Sequence, residues 1–362
     1  MRPNIYNLRL LFEFFPLIFL ILLSPFLSGC IKQPTNHSLV DLIPEILNKP
    51  LNEVADRDYL LITVLNLNDR GITTIKHIDR FRNLKELRLA HNMIIDISPI
   101  AGLHNLETLV LNDNPVKDAT PLVQLHVLSC LYLNGTNITD YSPVTKLTNL
   151  ISLGIANGNV DNLNMVRNLY NLRNLFLDNN HITDLTPIQG LINLEQLTLI
   201  NNDIDNIGPL GDLSKLRDLI MVNNRVSNLA PLGNLLELES LGLEYNNVND
   251  IGPLKGLIKL RVLSINHNSI GDIGALAGLL GLETLDISYN RVYEINTLSD
   301  LSGIRFLNLE GNHISDIGPL VGNPGIGLND TIILDYNPLS DSDVNLKIPA
   351  LTRKGAKVYF KE

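Results

Sequence analysis

The carboxylates that could do chemistry in this chain recur at one position of a repeating pattern. Their separations are 22 residues or multiples of 22, and the set is Asp96, Asp118, Asp140, Asp184, Asp250, Asp272 and Asp316. A column of carboxylate oxygens could bind calcium. Asparagine replaces aspartate freely at this position, however, and both residues commonly cap turns with their side-chain oxygens. Capping is therefore the preferred interpretation, and we expect neither a metal nor a cofactor.

The other residue types used in catalysis are scattered. His91 and His267 share a position of the pattern but lie eight repeats apart, and His181 and His313 share another position six repeats apart. These separations rule out a common ligand sphere. No segment matches a phosphate-binding glycine loop, a zinc-binding helix, a paired-cysteine metal site or a serine nucleophile elbow. The sequence therefore predicts a protein that is not an enzyme, with no catalytic residue.

The repeat that positions these residues is most regular in residues 172–193, LRNLFLDNNHITDLTPIQGLIN. We number its positions 1 to 22 from Leu172. Apolar side chains at positions 4 and 6 point to the same side of an extended chain, which predicts a short strand over Asn174 to Asp178. Apolar residues at positions 11, 14, 17 and 20 have the three-residue period of a 3₁₀ helix, with Thr186 as a cap and Pro187 in its first turn. One such unit cannot bury its apolar side, so copies must stack.

Twelve copies start at a constant step from Ile62 to Ile304, and short segments at both ends resemble terminal caps. Ser38 begins the first cap as a helix N-cap with Asp41 three residues later. The predicted organisation is a signal peptide, a tether, a helical N-terminal cap, twelve repeats, and a degenerate last repeat with a C-terminal cap. These segments are residues 1–29, 30–37, 38–61, 62–325 and 326–362.

The N-terminus has the layout of an export signal. Arg2 and Arg9 precede the apolar run Phe14 to Leu23, and Leu27-Ser-Gly-Cys30 follows. This last segment resembles the lipobox of bacterial lipoproteins, which implies lipid attachment at Cys30. An ordinary secretory signal or an uncleaved anchor is the alternative, but the apolar run is shorter than the roughly 20 residues of a membrane-spanning helix. The residue after Cys30 is Ile31 and not Asp. This resembles the outer-membrane-sorted lipoproteins of enteric bacteria.

The composition narrows the class of partner. The formal net charge is −10 and the sequence pI is near 5.3, which disfavours nucleic acid as a partner and adsorption onto anionic lipid. Cys30 and Cys130 are the two cysteines, so lipidation of the first would leave no disulfide partner.

Asparagine fills position 9 in most repeats, as Asn180 does. Its amide can both donate to and accept from the backbone of adjoining repeats, so we expect a stacked ladder. Arg70, Thr136 and Gly158 interrupt it. The repeats that start at 128 and 150 are therefore predicted to be the least stable.

The pattern LxxLxLxxNxIxDIxPLxxLxx resembles the 22-residue leucine-rich repeats of the internalin family of bacterial surface proteins, and also those of the eukaryotic phosphatase-regulating leucine-rich proteins. The resemblance covers residues 38–362. It implies an α/β leucine-rich-repeat solenoid, or horseshoe, with a parallel concave β-sheet, a 3₁₀ and irregular convex side, and helical caps. Internalin-like proteins are adhesins and invasins, which implies a protein partner.

Residues at positions 3, 5, 7 and 8 face the concave side and are free to vary. Several are large and apolar or aromatic in the middle of the array, and a contiguous stripe of this kind indicates a binding surface. The candidate stripe consists of Tyr132, Phe176, Ile200, Ile220, Val222, Tyr245, His267 and Tyr289. Asp178, Asp218 and Glu244 are expected to form an acidic rim that favours a basic or mixed partner.

The sequence thus predicts a monomeric, membrane-anchored envelope protein that binds a protein partner through its concave face. Two alternatives stay open: a structural envelope protein without a specific ligand, and an intracellular leucine-rich-repeat protein of the phosphatase-regulator kind. The export signal disfavours the second.

Overall fold

The computed structural model describes residues 37–361. The predicted signal peptide, Cys30 and the tether up to residue 36 lie outside the described residues. None of the helices in the described part is long and apolar enough to cross a membrane.

Fourteen short parallel strands form one open sheet, whose order follows the chain. Equivalent residues of neighbouring repeats pair directly, as Leu175 does with Leu197. A separate two-stranded sheet pairs β1 with β3. The strands are β1 His37–Ser38, β2 Val64–Asn66, β3 Ile72–Thr74, β4 Glu86–Arg88, β5 Thr108–Val110, β6 Cys130–Tyr132, β7 Ser152–Gly154, β8 Asn174–Phe176, β9 Gln196–Thr198, β10 Asp218–Ile220, β11 Ser240–Gly242, β12 Val262–Ser264, β13 Thr284–Asp286, β14 Phe306–Asn308, β15 Thr331–Ile333 and β16 Lys357–Tyr359. The horseshoe fold with a parallel sheet is confirmed, and β8 is two residues shorter than predicted.

The convex side consists of 3₁₀ turns, as the three-residue period predicts. Their bounds are Ile78–Arg80, Ser98–Gly102, Thr120–Gln124, Ser142–Lys146, Asn164–Val166, Thr186–Ile188, Gly208–Leu210, Ala230–Asn234, Gly252–Gly256, Gly274–Gly278 and Asn296–Ser299. Thr186 is not the cap that we expected. The Oδ1 atom of Asp184 accepts from the Thr186 N–H at 2.8 Å, because position 13 lies two residues before the first turn.

The remaining repeating aspartates cap in the same way. Each accepts, through Oδ1, the backbone N–H two residues later. The capping interpretation is confirmed, since one oxygen of every member is engaged by its own turn. Within residues 37–361, no group of three His, Cys, Asp or Glu side chains is arranged to hold a metal ion.

The interior is a stack of leucine and isoleucine columns closed by the asparagine ladder. Leu172, Leu175 and Leu177 are fully buried, as are their counterparts in most repeats. The Asn180 amide donates to the Ile155 and Leu177 carbonyls at 2.8 Å each, and its oxygen accepts from the Gly158 and Val160 N–H groups at 3.0 Å. This pairing satisfies backbone groups that the tight turn leaves inside the solenoid, and the ladder is confirmed.

Where Gly158 interrupts the ladder, the side chain of a tyrosine fills the space of the missing amide. The Tyr141 hydroxyl donates to the Gly158 carbonyl at 3.4 Å, and a Cβ at Gly158 would come within 2.7 Å of that hydroxyl and of Ile155 Cγ2. Gly158 has no side-chain oxygen to accept the N–H of Ile138, in the way that Asn114 accepts the N–H of Ile94. The volume is replaced there, but the hydrogen bonds are not.

Short helices cover both ends of the sheet. At the N-terminal end, α1 spans Leu39–Leu47 with the predicted Ser38 and Asp41 capping box, a 3₁₀ turn spans Leu51–Glu53, and α2 spans Asp56–Tyr59. In the last full repeat, α3 spans Gly318–Gly322. A π-helical turn, Asp343–Lys347, leads into α4, Ile348–Arg353.

The C-terminal cap begins with the π-helical turn, which Ser342 directly precedes. Ser342 makes no capping hydrogen bond there. The Ser340 hydroxyl instead accepts from the Asp343 N–H at 3.2 Å. Gly355 ends the helix with φ of +100°, a conformation that favours glycine, and β16 follows.

Candidate protein-binding face

The strands present positions 3, 5 and 7 of each repeat on the concave face, because side chains alternate and position 4 packs in the core. Parallel pairing in register turns each position into a column with about 4.8 Å between neighbours. Position 8 follows the strand at the rim of this face. The candidate residues therefore lie on one continuous surface, from Tyr132 to Tyr289.

Two aromatic rings stack across a glycine near the N-terminal side of this face. Tyr132, Gly154 and Phe176 are paired at position 5 of three successive repeats. The Tyr132 and Phe176 ring centroids are 6.4 Å apart and the planes differ by 25°. A Cβ at Gly154 would lie 2.8 Å from the Tyr132 ring, so the glycine lets the rings meet. Phe176 is only 7% exposed in this pair, which leaves Tyr132 as its accessible member.

A ladder of three rings stands at position 8 of later repeats. Tyr245 and His267 stack with centroids 4.1 Å apart, and His267 and Tyr289 follow at 4.5 Å. Tyr245 and Tyr289 are 42% and 36% exposed. Burial against its neighbours lowers the pKa of His267, so the central ring favours its neutral form. We call Tyr245, His267 and Tyr289 the ring ladder.

The ring ladder occupies backbone positions that normally disfavour bulky residues. Tyr245, His267 and Tyr289 have φ between 52° and 54°, in the left-handed region. The preceding three repeats place asparagine there, at Asn201 and its two neighbours, and those amides hydrogen-bond to one another. Asparagine suits this conformation. Aromatic residues in its place contribute exposed ring surface that the turn itself does not require.

Aliphatic side chains connect the two aromatic groups. Ile200, Ile220 and Val222 lie half-buried on the strands between Phe176 and Tyr245. The stripe predicted from the sequence is therefore brought together on one face. Its role in partner binding remains a prediction.

The expected acidic rim is wrong for two of its three residues. Asp178 is 2% exposed and accepts from Thr198 Oγ1 and the Ile200 N–H, both at 2.8 Å. Burial raises its pKa to about 6, against the opposing effect of these two hydrogen bonds. Glu244 is also buried. Ile200 and Val222 are half-buried at the same position 7, so neighbouring repeats decide burial there, which the repeat pattern does not reveal.

Asp218 is the half-buried member of the expected rim. Its carboxylate accepts from Gln196 Nε2 at 3.0 Å, and burial raises its pKa. The exposed charges nearby belong to another column, position 2, where basic and acidic residues alternate. Arg173 pairs with Glu195 at 2.9 Å and Arg217 with Glu239 at 3.2 Å. The edge of the face is therefore charge-paired rather than acidic.

Sequence reasoning missed two residues of strand β11, Ser240 and Gly242, which occupy positions 3 and 5 of the repeat that has Glu244 at position 7. Gly242 leaves a space at position 5, and Glu244 folds back into it. A Cβ on Gly242 would lie 3.1 Å from Glu244 Oε2 and 3.2 Å from Ile220 Cδ1. Glycine inside a strand often marks such a close approach, and that signal was available in the sequence.

Glu244 has an acidic neighbour on the same face. Asp286, two strands away, accepts from the Ser288 hydroxyl and from Asn308 Nδ2. Burial is the main cause that raises the pKa of both carboxyls, with Glu244 at about 7. The Ser264 hydroxyl lowers the pKa of Glu244 and the Asp286 charge raises it.

Cys130, next to Tyr132, is a half-buried free thiol.

Comparison with known proteins agrees with this architecture. Family models described as leucine-rich repeats match residues 82–124, 236–292 and 259–314. The comparison with curated protein sequences gave no match. The fold and the repeats define a leucine-rich-repeat protein.

Three solved structures illustrate the range of similarity. An internalin, inlF, of Listeria monocytogenes is 30% identical, with a TM-score of 0.84 over 90% of this chain and 95% of that one. A leucine-rich-repeat protein of Leptospira interrogans is 23% identical, with a TM-score of 0.72 over 85% and 86%. The ectodomain of the Arabidopsis thaliana receptor kinase GASSHO1/SCHENGEN3, solved in complex with CASPARIAN STRIP INTEGRITY FACTOR 2, is 19% identical, with a TM-score of 0.54 over 75% and 42%. On the first of these similarities, the chain belongs to the internalin family of leucine-rich-repeat proteins.

Proposed function

We propose that this protein is a lipid-anchored protein of the bacterial cell envelope that binds a protein partner through its concave face. The observation that carries the binding part is the exposed ring ladder, which the turn geometry does not require. Leucine-rich-repeat proteins commonly bind proteins, and the plant receptor ectodomain described above was solved in complex with CASPARIAN STRIP INTEGRITY FACTOR 2. The family's members are typically interaction scaffolds rather than enzymes.

The aromatic groups are suited to anchoring a partner. Exposed tyrosine rings contribute large contact area with few rotatable bonds, and tyrosine is enriched among the residues that dominate interface energies. The Tyr132–Phe176 pair, the aliphatic residues and the ring ladder together extend over eight repeats. A partner lying along this face would contact several columns at once.

The binding proposal is tested by replacing the rings with the residue that the fold itself uses at position 8. We expect Tyr245→Asn with Tyr289→Asn to keep the solenoid folded, because asparagine occupies this left-handed position in neighbouring repeats. Partner capture from fractionated envelope or host extracts should weaken at least tenfold. Tyr293→Asn is the matched control, because Tyr293 is 60% exposed in the same repeat as Tyr289 but follows the strand by several residues.

The outcome separates binding from a purely structural role. If the double variant captures the same proteins as the wild type, at the same yield, the ring ladder is not a binding surface. Loss of capture by the Tyr293 control as well would show a general effect of removing tyrosine.

The anchoring part of the proposal rests on the lipobox-like segment that ends at Cys30. Two acyl chains give stable membrane attachment where one is marginal. We expect Cys30→Ala to move the protein from the membrane fraction to the soluble fraction, while Cys130→Ala leaves it in place. Retention of the Cys30 variant in membranes would refute lipid attachment at that residue.

A further inference from the structure

Two buried side-chain polar atoms lack a hydrogen-bond partner in the part of the chain that the structure describes, and both belong to one repeat. They are Ser240 Oγ and Glu244 Oε2. The two residues are 6% and 8% exposed. A buried acceptor without a partner is costly, and such groups are rare in native proteins. Two of them in one repeat call for a common explanation.

The geometry of the repeat shows how these atoms can become accessible. Ser240, Gly242 and Glu244 follow one another on the concave face, with about 6.6 Å between successive members along the strand. The Glu244 carboxylate lies in the space above Gly242, against Ile220 Cδ1. Rotation about the Glu244 side-chain torsions would move the carboxylate outward and open the space above Gly242, the next concave position after Ser240. No backbone movement is needed, because Gly242 has no side chain.

The chemistry of this opening selects a cation with several donors. Two groups at this opening can accept hydrogen bonds, the Glu244 carboxylate and the Ser240 hydroxyl oxygen, and the Asp286 charge acts on Glu244 from two strands away. The Tyr245 ring stands at the next residue, and the Glu244 and Asp286 charges both act on its hydroxyl. A guanidinium group presents five donors in one plane and also stacks on aromatic rings, whereas an ammonium group is a compact point charge.

We propose that the opening formed by Ser240, Gly242 and Glu244 is a binding site for an arginine side chain of the partner protein, with Glu244 swinging out to pair with the guanidinium. This inference rests on the proposed function, because it assigns one contact within the concave-face interface. In the free protein, Glu244 folds back over Gly242 and covers the site. The raised pKa of its carboxyl agrees with a group whose charge lacks a partner until the ligand arrives.

The site can be tested without the natural partner. The probe is the acetylated and amidated tripeptide Gly-Arg-Gly, compared with versions that carry lysine or citrulline in place of arginine. The full chain is labelled with ¹³C at the glutamate side-chain carboxyl carbons, and the Glu244 signal is assigned by its loss in Glu244→Gln. We expect the arginine peptide to shift this signal saturably and to lower the pKa of Glu244. Citrulline, which is neutral and nearly the same shape, should do neither.

Variants distinguish the site from a general electrostatic effect. Glu244→Gln should weaken binding of the arginine peptide at least tenfold, and Ser240→Ala should weaken it several-fold. Glu239→Gln is the matched control, since Glu239 is a more exposed glutamate of the same repeat that pairs with Arg217; it should bind as the wild type does. Equal binding of citrulline or of the Glu244 variant would overturn the proposal, and equal binding of lysine would overturn the assignment to arginine.

These outcomes are independent of the ring-ladder experiment. If the peptide binds while the Tyr245 and Tyr289 double variant still captures proteins normally, the arginine site stands and the ring-ladder proposal fails. If the peptide does not bind while the double variant loses its partner, the reverse holds.

Discussion

Replacing Glu244 by glutamine should remove a pH dependence of folding stability that the wild type carries. Glu244 is almost fully buried, and its pKa in the folded protein is about 7, against an ordinary value of 4.5. Burial disfavours the ionised form, which is the largest cause of the shift. The folded state therefore binds a proton more tightly than the unfolded chain does. Glutamine has nearly the same shape and does not titrate in this range.

The sign and size of the effect follow from these pKa values. Between pH 4.5 and about 7 the folded protein holds more protons at Glu244 than the unfolded chain, so stability falls as the pH rises through this window and is level above it. A shift of about 2.5 pKa units at 1.36 kcal/mol each gives a ceiling of about 3 kcal/mol. Asp178 also has a raised pKa, but it is present in both proteins and cancels in the comparison. Asp286 interacts with Glu244, so any change in the titration of Asp286 is part of the measured difference.

The assay is urea unfolding of wild type, Glu244→Gln and Glu239→Gln at about pH 4 and about pH 8, which bracket the window. Any constant cost of burying the glutamine amide is the same at both pH values. The difference in stability between wild type and Glu244→Gln should therefore move by up to about 3 kcal/mol in favour of the variant at the higher pH. The Glu239 control should show no comparable change. A wild-type to Glu244→Gln difference that is the same at both pH values would refute the raised pKa that burial gives this carboxyl.

Two further predictions concern the interrupted asparagine ladder. Backbone amides in the repeats that start at Leu128 and Leu150 should exchange hydrogen faster than those in residues 216–260, and equal protection would contradict the role given to position 9. Gly158→Asn alone should destabilise the protein by roughly 1–3 kcal/mol through overpacking against the Tyr141 hydroxyl, whereas adding Tyr141→Leu should recover the loss in thermal unfolding, since the amide can then enter the space and accept the Ile138 N–H.

The fold was largely predictable from the sequence because the same pattern of residue types recurs in every repeat. A single leucine pair at positions 4 and 6 would be compatible with several structures, but twelve copies at a constant step require in-register stacking. The ladder asparagine and the capping aspartate were predictable for the same reason. Each makes its hydrogen bonds within its own or the adjoining repeat, so local spacing determines the contacts.

The prediction failed where contacts depend on the unlike residues of neighbouring repeats. Asp178 was expected at the rim, yet the hydroxyl at Thr198 and the N–H of Ile200 hold its carboxylate inside the face. Thr198 belongs to the next repeat and occurs at a position whose residue type changes from repeat to repeat, with Phe176 before it and Ile220 after it. No feature of the Asp178 repeat itself records that partner. Burial on the concave face therefore depends on which residues the neighbouring repeats supply, and not only on the position within one repeat.

Gly154 and Gly242 show the same dependence in its sharpest form, since one residue type at one position has two different consequences. At Gly154 the rings of Tyr132 and Phe176 stack across the glycine from both sides and fill the space with apolar surface. At Gly242 the adjoining residues are Ile220 and Ser264, and a carboxylate without a hydrogen-bond partner on one oxygen enters the space. The first glycine completes a packed aromatic contact, whereas the second leaves acceptors that a cationic side chain would satisfy. A glycine at position 5 therefore leaves a space on the concave face. The side chains of the two neighbouring repeats determine whether that space is filled or is able to bind a ligand.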